Sequence, residues 1–144
     1  MSYALDANIL LYASDESSPK YSKAKEFLFK CTERADVLYL PWMTVSAYLR
    51  IATHPRIFQQ PLSPDDALAN VESLISLPQV RLLAEGEGFW EYLRQTYDLM
   101  PIRGNLVPDA QLATLLRQHG VNVLYTHDSD FKKFDWLEVR DPFK

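Results

Sequence analysis

Apolar residues recur along the chain in two rhythms. Short unbroken runs read as buried strands: Tyr3-Ala4-Leu5, Val37 to Leu40, Val80 to Leu83 and Asn122 to Tyr125, with Trp136 to Val139 as a last one. Between them the apolar positions fall at helical spacing. Ile9-Leu10-Leu11 starts one helix. Tyr21 to Arg34 carries Ala24, Phe27, Leu28 and Cys31 on one face, and Met43 to Ala52 carries Val45, Tyr48, Leu49 and Ala52. Ser63-Pro64-Asp65-Asp66 is a strong helix start that runs to about Ser76, with Ser as cap, Pro at the first position and acids in the first turn. Phe89 to Tyr97 predicts a helix with Trp90, Leu93 and Tyr97 inward. Asp109 to His119 predicts another, with Ala110, Leu112, Ala113 and Leu116 buried and Gly120 as its stop.

The punctuation agrees. Ser14 to Lys20 is a polar break, Pro41 stops the second strand, and Thr53-His54-Pro55 ends a helix because the residue before proline is pushed out of the α region. Arg56 to Pro64 and Asp98 to Pro108 read as loops. Short strands alternate with helices, and two-residue hairpin signals are missing. That predicts an α/β fold: a three-layer α/β/α sandwich around a parallel sheet of about four to five short strands. No repeat or linker divides the 144 residues, so one domain over 1–144 is expected.

Composition narrows the class. Apolar content of 47% and charged content of 24% describe a globular chain. A net charge of −4 argues against a broad phosphate-binding surface, although a divalent cation can supply positive charge locally. Cys31 is the single cysteine, which excludes an internal disulfide and a cysteine zinc cluster. No apolar run approaches the roughly 20 residues of a membrane span, and no signal peptide is evident, so a cytoplasmic location is expected.

The candidate chemistry lies in the acids. Asp6 follows the first strand; Asp128 and Asp130 follow the fourth; Asp109 opens the helix that leads back into it. If strands one and four are neighbours, these groups meet at the C-terminal edge of the sheet, where open α/β sheets place their ligands. Each has a plainer use. Asp6 and Asp109 could cap helices, and Asp128 with Asp130 could form a polar turn. Capping alone does not require all of them at one edge. Carboxylates gathered without a basic partner call for a hard divalent cation such as Mg²⁺ or Mn²⁺, which can polarise a phosphodiester and activate water. Thr126 could fix a carboxylate rotamer, and Asn8 could cap or support the metal shell. Arg50, Thr53, His54 and Arg56 form a second cluster that could touch phosphates or place a water, or in which Arg50 pairs with a carboxylate and the rest simply ends a helix. His127 sits in the acidic turn with its side chain facing away, and it and His119 lack a second histidine at metal-ligand spacing, so zinc is not indicated.

These segments resemble the PIN-domain ribonucleases, in particular the VapC-type toxins of bacterial type II toxin–antitoxin pairs. The matching stretches are LDANILLYA at Leu5–Ala13, YLRIATHPRIF at Tyr48–Phe58, GNLVPDAQLATLLRQHG at Gly104–Gly120 and LYTHDSDFKKF at Leu124–Phe134. The resemblance implies a PIN-like sandwich and an endoribonuclease that depends on Mg²⁺ or Mn²⁺ and acts on tRNA or rRNA. It also implies a homodimer, held in check by a cognate antitoxin encoded next door. Asp6, Asp109 and Asp128 match the family's metal ligands, Asp130 a further acid, Thr126 the strand-end hydroxyl and Asn8 a supporting residue. One departure stands out. Many members carry a Glu in the helix after strand two; here that position is Ala47, and no acid lies between Asp36 and Asp65. Members with the RIATHPR pattern often lack this Glu. Two competing readings remain: a PIN-like module that binds RNA or a partner without turnover, and a haloacid-dehalogenase-type phosphatase. The phosphatase needs a second Asp where this chain has Asn8.

Overall fold

A computed structural model describes residues 1–144. Five parallel strands form one sheet: β1 (Ser2–Leu5), β2 (Val37–Pro41), β3 (Val80–Leu83), β4 (Val123–Tyr125) and β5 (Glu138–Arg140). Their spatial order is β3-β2-β1-β4-β5. Strands one and four are therefore neighbours, with Leu5 opposite Tyr125. The helices are α1 (Ala7–Ser14), α2 (Tyr21–Glu33), α3 (Trp42–Ala52), α4 (Pro64–Ile75), α5 (Phe89–Leu99) and α6 (Leu106–Gln118). A short 3₁₀ helix, Ser129–Lys133, follows β4.

The strand periodicity of two divides the core. Tyr3 and Leu5 point to one face of β1 and join Leu10, Cys31, Val45, Tyr48 and Val71 from α1 to α4. Ala4 points to the other face and joins Leu112, Leu115, Leu116, Phe131 and Phe134. Both faces of the sheet are thus covered, as an all-parallel sheet requires, and the predicted sandwich is the observed one. Cys31 is the small buried filler that its place on the α2 stripe suggested. No helix is long and apolar enough to cross a membrane.

Three elements differ from their sequence reading. Helix α6 begins at Leu106, not at Asp109; Pro108 falls in its first turn, where a missing N–H costs little. Trp90 and Tyr97 face outward at 65% and 38% exposure, and α5 instead buries Thr96, whose hydroxyl lies 2.8 Å from that of Thr114. A polar residue satisfied by a partner took the inward place that apolarity alone would assign to an aromatic. The last strand starts at Glu138, because the Trp136 indole is turned to donate to the Ala113 carbonyl at 2.9 Å. The Gly120 stop is as expected: its φ of +70° reverses the chain after α6 at a position where a side chain would be strained.

Tyr48 ties three helices together. Its ring is buried, and its hydroxyl lies 2.7 Å from Ser14 Oγ and accepts from Asn70 Nδ2 at 2.9 Å. Tyr48→Phe keeps the ring and removes the hydroxyl. It is expected to cost about 1 kcal/mol, read as a Tm a few degrees lower in calorimetry.

Candidate metal centre

The sheet order brings the acids together at its C-terminal edge. Asp6 leaves β1 in an extended conformation and caps α1, with Oδ1 accepting from the Ala7 N–H at 2.8 Å. Only one oxygen is used that way. Oδ2 accepts from the Thr126 hydroxyl at 2.8 Å and from Asn8 Nδ2 at 3.3 Å. Thr126 is itself a hub, since its oxygen also accepts from Asn8 Nδ2 at 3.1 Å and from the Asp128 N–H at 3.0 Å. Asn8 Oδ1 accepts from the His127 N–H at 3.3 Å. The end of β1 is thereby stitched to the end of β4, and Asp128 is held by its own backbone. One Asp128 oxygen accepts from the Asp130 N–H at 2.9 Å, which starts the 3₁₀ turn.

Asp109 enters from the first turn of α6. One oxygen each of Asp109, Asp128 and Asp130 lies within 4.8 Å of the others. Asp6 stands one step behind this group, close enough for its charge to be felt by Asp109 and for Asp128 to be felt by Asp6. Burial and then the charges of Asp128, Asp6 and Asp130 push Asp109 up to about 6, against a pull downward from Lys133. Asp6 is also raised, chiefly by burial, although its hydrogen bonds from Thr126 and Ala7 oppose the shift. No arginine joins the cluster. Lys133 Nζ, 3.8 Å from Asp130 Oδ1, is its one ion-pair partner.

Lys133 escaped the sequence reading. The signal was a lysine three residues after Asp130, on the same side of a one-turn helix. Thr44 also escaped it: this buried hydroxyl on α3 donates to the Leu5 carbonyl at 3.3 Å, just before Asp6. Arg50, His54 and Arg56 are not brought to the acids. Tyr48 of α3 already reaches Ser14, at the end of α1 away from Asp6, and these residues lie further on. Thr53 donates to the Leu49 carbonyl at 2.7 Å, and His54 Nδ1 accepts from the Arg56 N–H at 3.1 Å, so this segment closes the helix on itself. Arg50 pairs with no carboxylate. His127 does turn aside, with Nδ1 2.9 Å from Asp141 Oδ2. Ala47 is half-buried on α3 and adds no oxygen to the group.

Asp6 and Asp109 bind protons more tightly folded than unfolded. The stability they contribute is full in acid and is lost as pH rises through about 6 for Asp109. In EDTA the chain is expected to melt higher near pH 5 than near pH 7.5 on this account. Asp109→Asn should flatten that dependence in scanning calorimetry; an unchanged slope would contradict it.

The chain matches the PIN domain family over residues 3–137. It is 41% identical to Ribonuclease VapC48 of Mycobacterium tuberculosis over 143 residues, 99% of both chains. It is 29% identical to Ribonuclease VapC43 of the same organism, over 96% of this chain and 93% of that one. Among solved structures, M. tuberculosis VapC20, a sarcin-ricin loop cleaving toxin, superposes with a TM-score of 0.69 at 16% identity, covering 96% of this chain and 98% of that one. VapBC-1 from nontypeable Haemophilus influenzae gives 0.68 at 20% identity over 100% of both chains. Fold, sheet-edge acids and full-length sequence similarity converge: the chain belongs to the PIN domain family, among its VapC ribonucleases.

Proposed function

We propose that this chain, acting as one domain over 1–144, is an endoribonuclease toxin. Its cleavage of RNA depends on Mg²⁺ or Mn²⁺. The observation that carries the reading is the set of three carboxylates within 4.8 Å of one another, with no arginine among them. Hard oxygen donors in that number suit a hard divalent cation, and Asp109, raised first by burial and then by its acidic neighbours, is a group whose charge such an ion would offset. Asp109 and Asp128 would hold the ion, with Asp130 and Asp6 completing the shell directly or through water. When bound, the ion offsets the negative charge that builds on a phosphodiester as water attacks it.

The protein's own groups do the rest. Thr126 and Asn8 fix the Asp6 carboxylate by hydrogen bonds to its Oδ2. Lys133, paired with Asp130, offsets part of the acid charge. RNA enters as a single strand or loop, where its backbone is accessible; tRNA and rRNA are the substrate classes proposed.

The similarity to VapBC-1 and to VapBC2 from Rickettsia felis supports an antitoxin as partner. A cavity of about 360 Å³ lies away from the acids between α1, α2 and α4, with Leu10, Leu28, Val71 and Leu74 in its wall. An apolar groove on the early helices suits such a partner. Exposed Trp42 and Trp90 suit a homodimer contact.

Purified protein is expected to cut RNA with Mn²⁺ or Mg²⁺, to stop in EDTA and to resume on adding the ion back. Cleavage that persists in EDTA would overturn the metal dependence. Calorimetric binding of Mn²⁺ without cleavage of any RNA would favour the binding-module reading that Ala47 suggests.

A further inference from the structure

On the β5 side of the acids a second cavity, about 210 Å³, opens between the end of β4 and the last residues of the chain. Its wall includes His127, Asp128, Ser129, Lys132, Asp141 and Lys144. Asp128, and Thr126 which also lines the cavity, belong to the site already described; the other residues do not. The two acids are occupied. Asp141 lies 2.9 Å from His127 Nδ1 through one oxygen and accepts the Phe143 N–H at 2.9 Å with the other. Asp128 accepts from the Asp130 N–H and belongs to the acid cluster. Neither Lys132 nor Lys144 makes an ion pair, although Asp141 feels the Lys144 charge, whereas the adjacent Lys133 is turned to Asp130. The wall thus combines two lysines without an ion pair and Ser129 with the engaged acids Asp128 and Asp141. Its volume is several times the roughly 30 Å³ of a water molecule.

The surface continues in the same style. His127 and Phe143 pack edge-on against Tyr12, at 5.9 and 5.3 Å between ring centres, and Lys20 lies 5.4 Å over the Tyr12 ring. Cations interleaved with aromatic rings form the type of groove that carries single-stranded nucleic acid. In a chain of net charge −4, such a local track is what can hold a polyanion beside an acidic cluster.

We propose that this pocket holds a phosphate of the RNA strand next along from the phosphodiester cut at the acids, with Lys132 and Lys144 as its counterions. The assignment rests on the ribonuclease reading and adds a substrate-positioning site to it. The test compares Asp109→Asn protein with and without Lys132→Ala and Lys144→Ala, so that cleavage does not interfere. Binding of a short fluorescein-labelled single-stranded RNA is followed by anisotropy across a salt series. Losing the contacts to this one phosphate should lower the slope of log K against log salt by about 0.7. Lys23→Ala with Lys30→Ala, on α2, should leave the slope unchanged. In otherwise native protein Lys132→Ala should raise KM several-fold with kcat kept. Equal slopes with RNA still bound, or an equal drop in the α2 control, would overturn the pocket assignment alone. No RNA bound by any form at low salt would overturn the ribonuclease reading and the pocket with it. Inorganic phosphate serves as a second probe by NMR of the His127 ring. Shifts with phosphate but none with RNA would make this a free-anion site and overturn the proposal.

Discussion

Asp109→Asn is expected to stabilise the protein while removing most of its activity. The amide keeps the shape of the side chain and takes away a charge that burial and three other acids disfavour. A carboxyl lifted to about 6 stores repulsion at neutral pH. Discounted for its partial exposure, the relief is about 1 kcal/mol, or about 2–4 °C in Tm for a chain of this size. The same change removes an oxygen donor from the point where charge must be offset during attack. Cleavage is expected to fall about 10²–10³-fold. The gain should be seen in EDTA and should shrink or reverse with saturating Mn²⁺, because the native carboxylate then has a counterion. Melting curves with and without Mn²⁺, beside a cleavage assay, check both halves. A variant that is less stable in EDTA would mean that Asp109 is a structural group, and the reading of the site would fail.

Thr126→Val tests the hub. The two side chains have nearly the same shape, so the loss is confined to one hydroxyl. That oxygen, fully buried, donates to Asp6 and accepts from Asn8 and the Asp128 backbone. Replacing it leaves several polar partners unsatisfied at once, at a cost of about 2–4 kcal/mol. Cleavage is expected to fall about 10–100-fold, the usual effect of losing a group that orients a ligand. Thr126→Ser retains the hydroxyl and should recover most of the activity. A valine variant with native kinetics would show that Asp6 needs no such support.

Much of this site was legible in the sequence because it depends on topology. Asp6 and Asp128 each follow a short apolar run, and a parallel sheet points all such ends one way. What had to be supposed was that β1 and β4 are adjacent, and they are. Asp109 was legible as a residue but not as a position. Pro108 looked like the boundary of α6, yet a first-turn proline is no interruption, so the carboxylate sits one turn inside. Trp90 and Tyr97 were misplaced because apolar spacing in α5 fits two faces, and the buried pair of Thr96 and Thr114 decided which turned inward. Arg50, His54 and Arg56 formed a cluster along the chain that space does not join to the acids. Lys133 and Thr44 were unreadable for a different reason: each acts through one contact, and no repeating pattern announces a single contact.

The pairing of β1 with β4 has a consequence for folding. Asp6 lies just after the first strand and Asp128 after the fourth, so no early segment of the chain can bring them together by itself. Until β4 pairs with β1, Asp6 lacks its Thr126 hydrogen bond and the acids beside it. With the acids in the roles proposed above, a chain without β4 and the turn after it should neither hold the ion nor cut RNA, so activity would arise only once that late strand has docked beside the first.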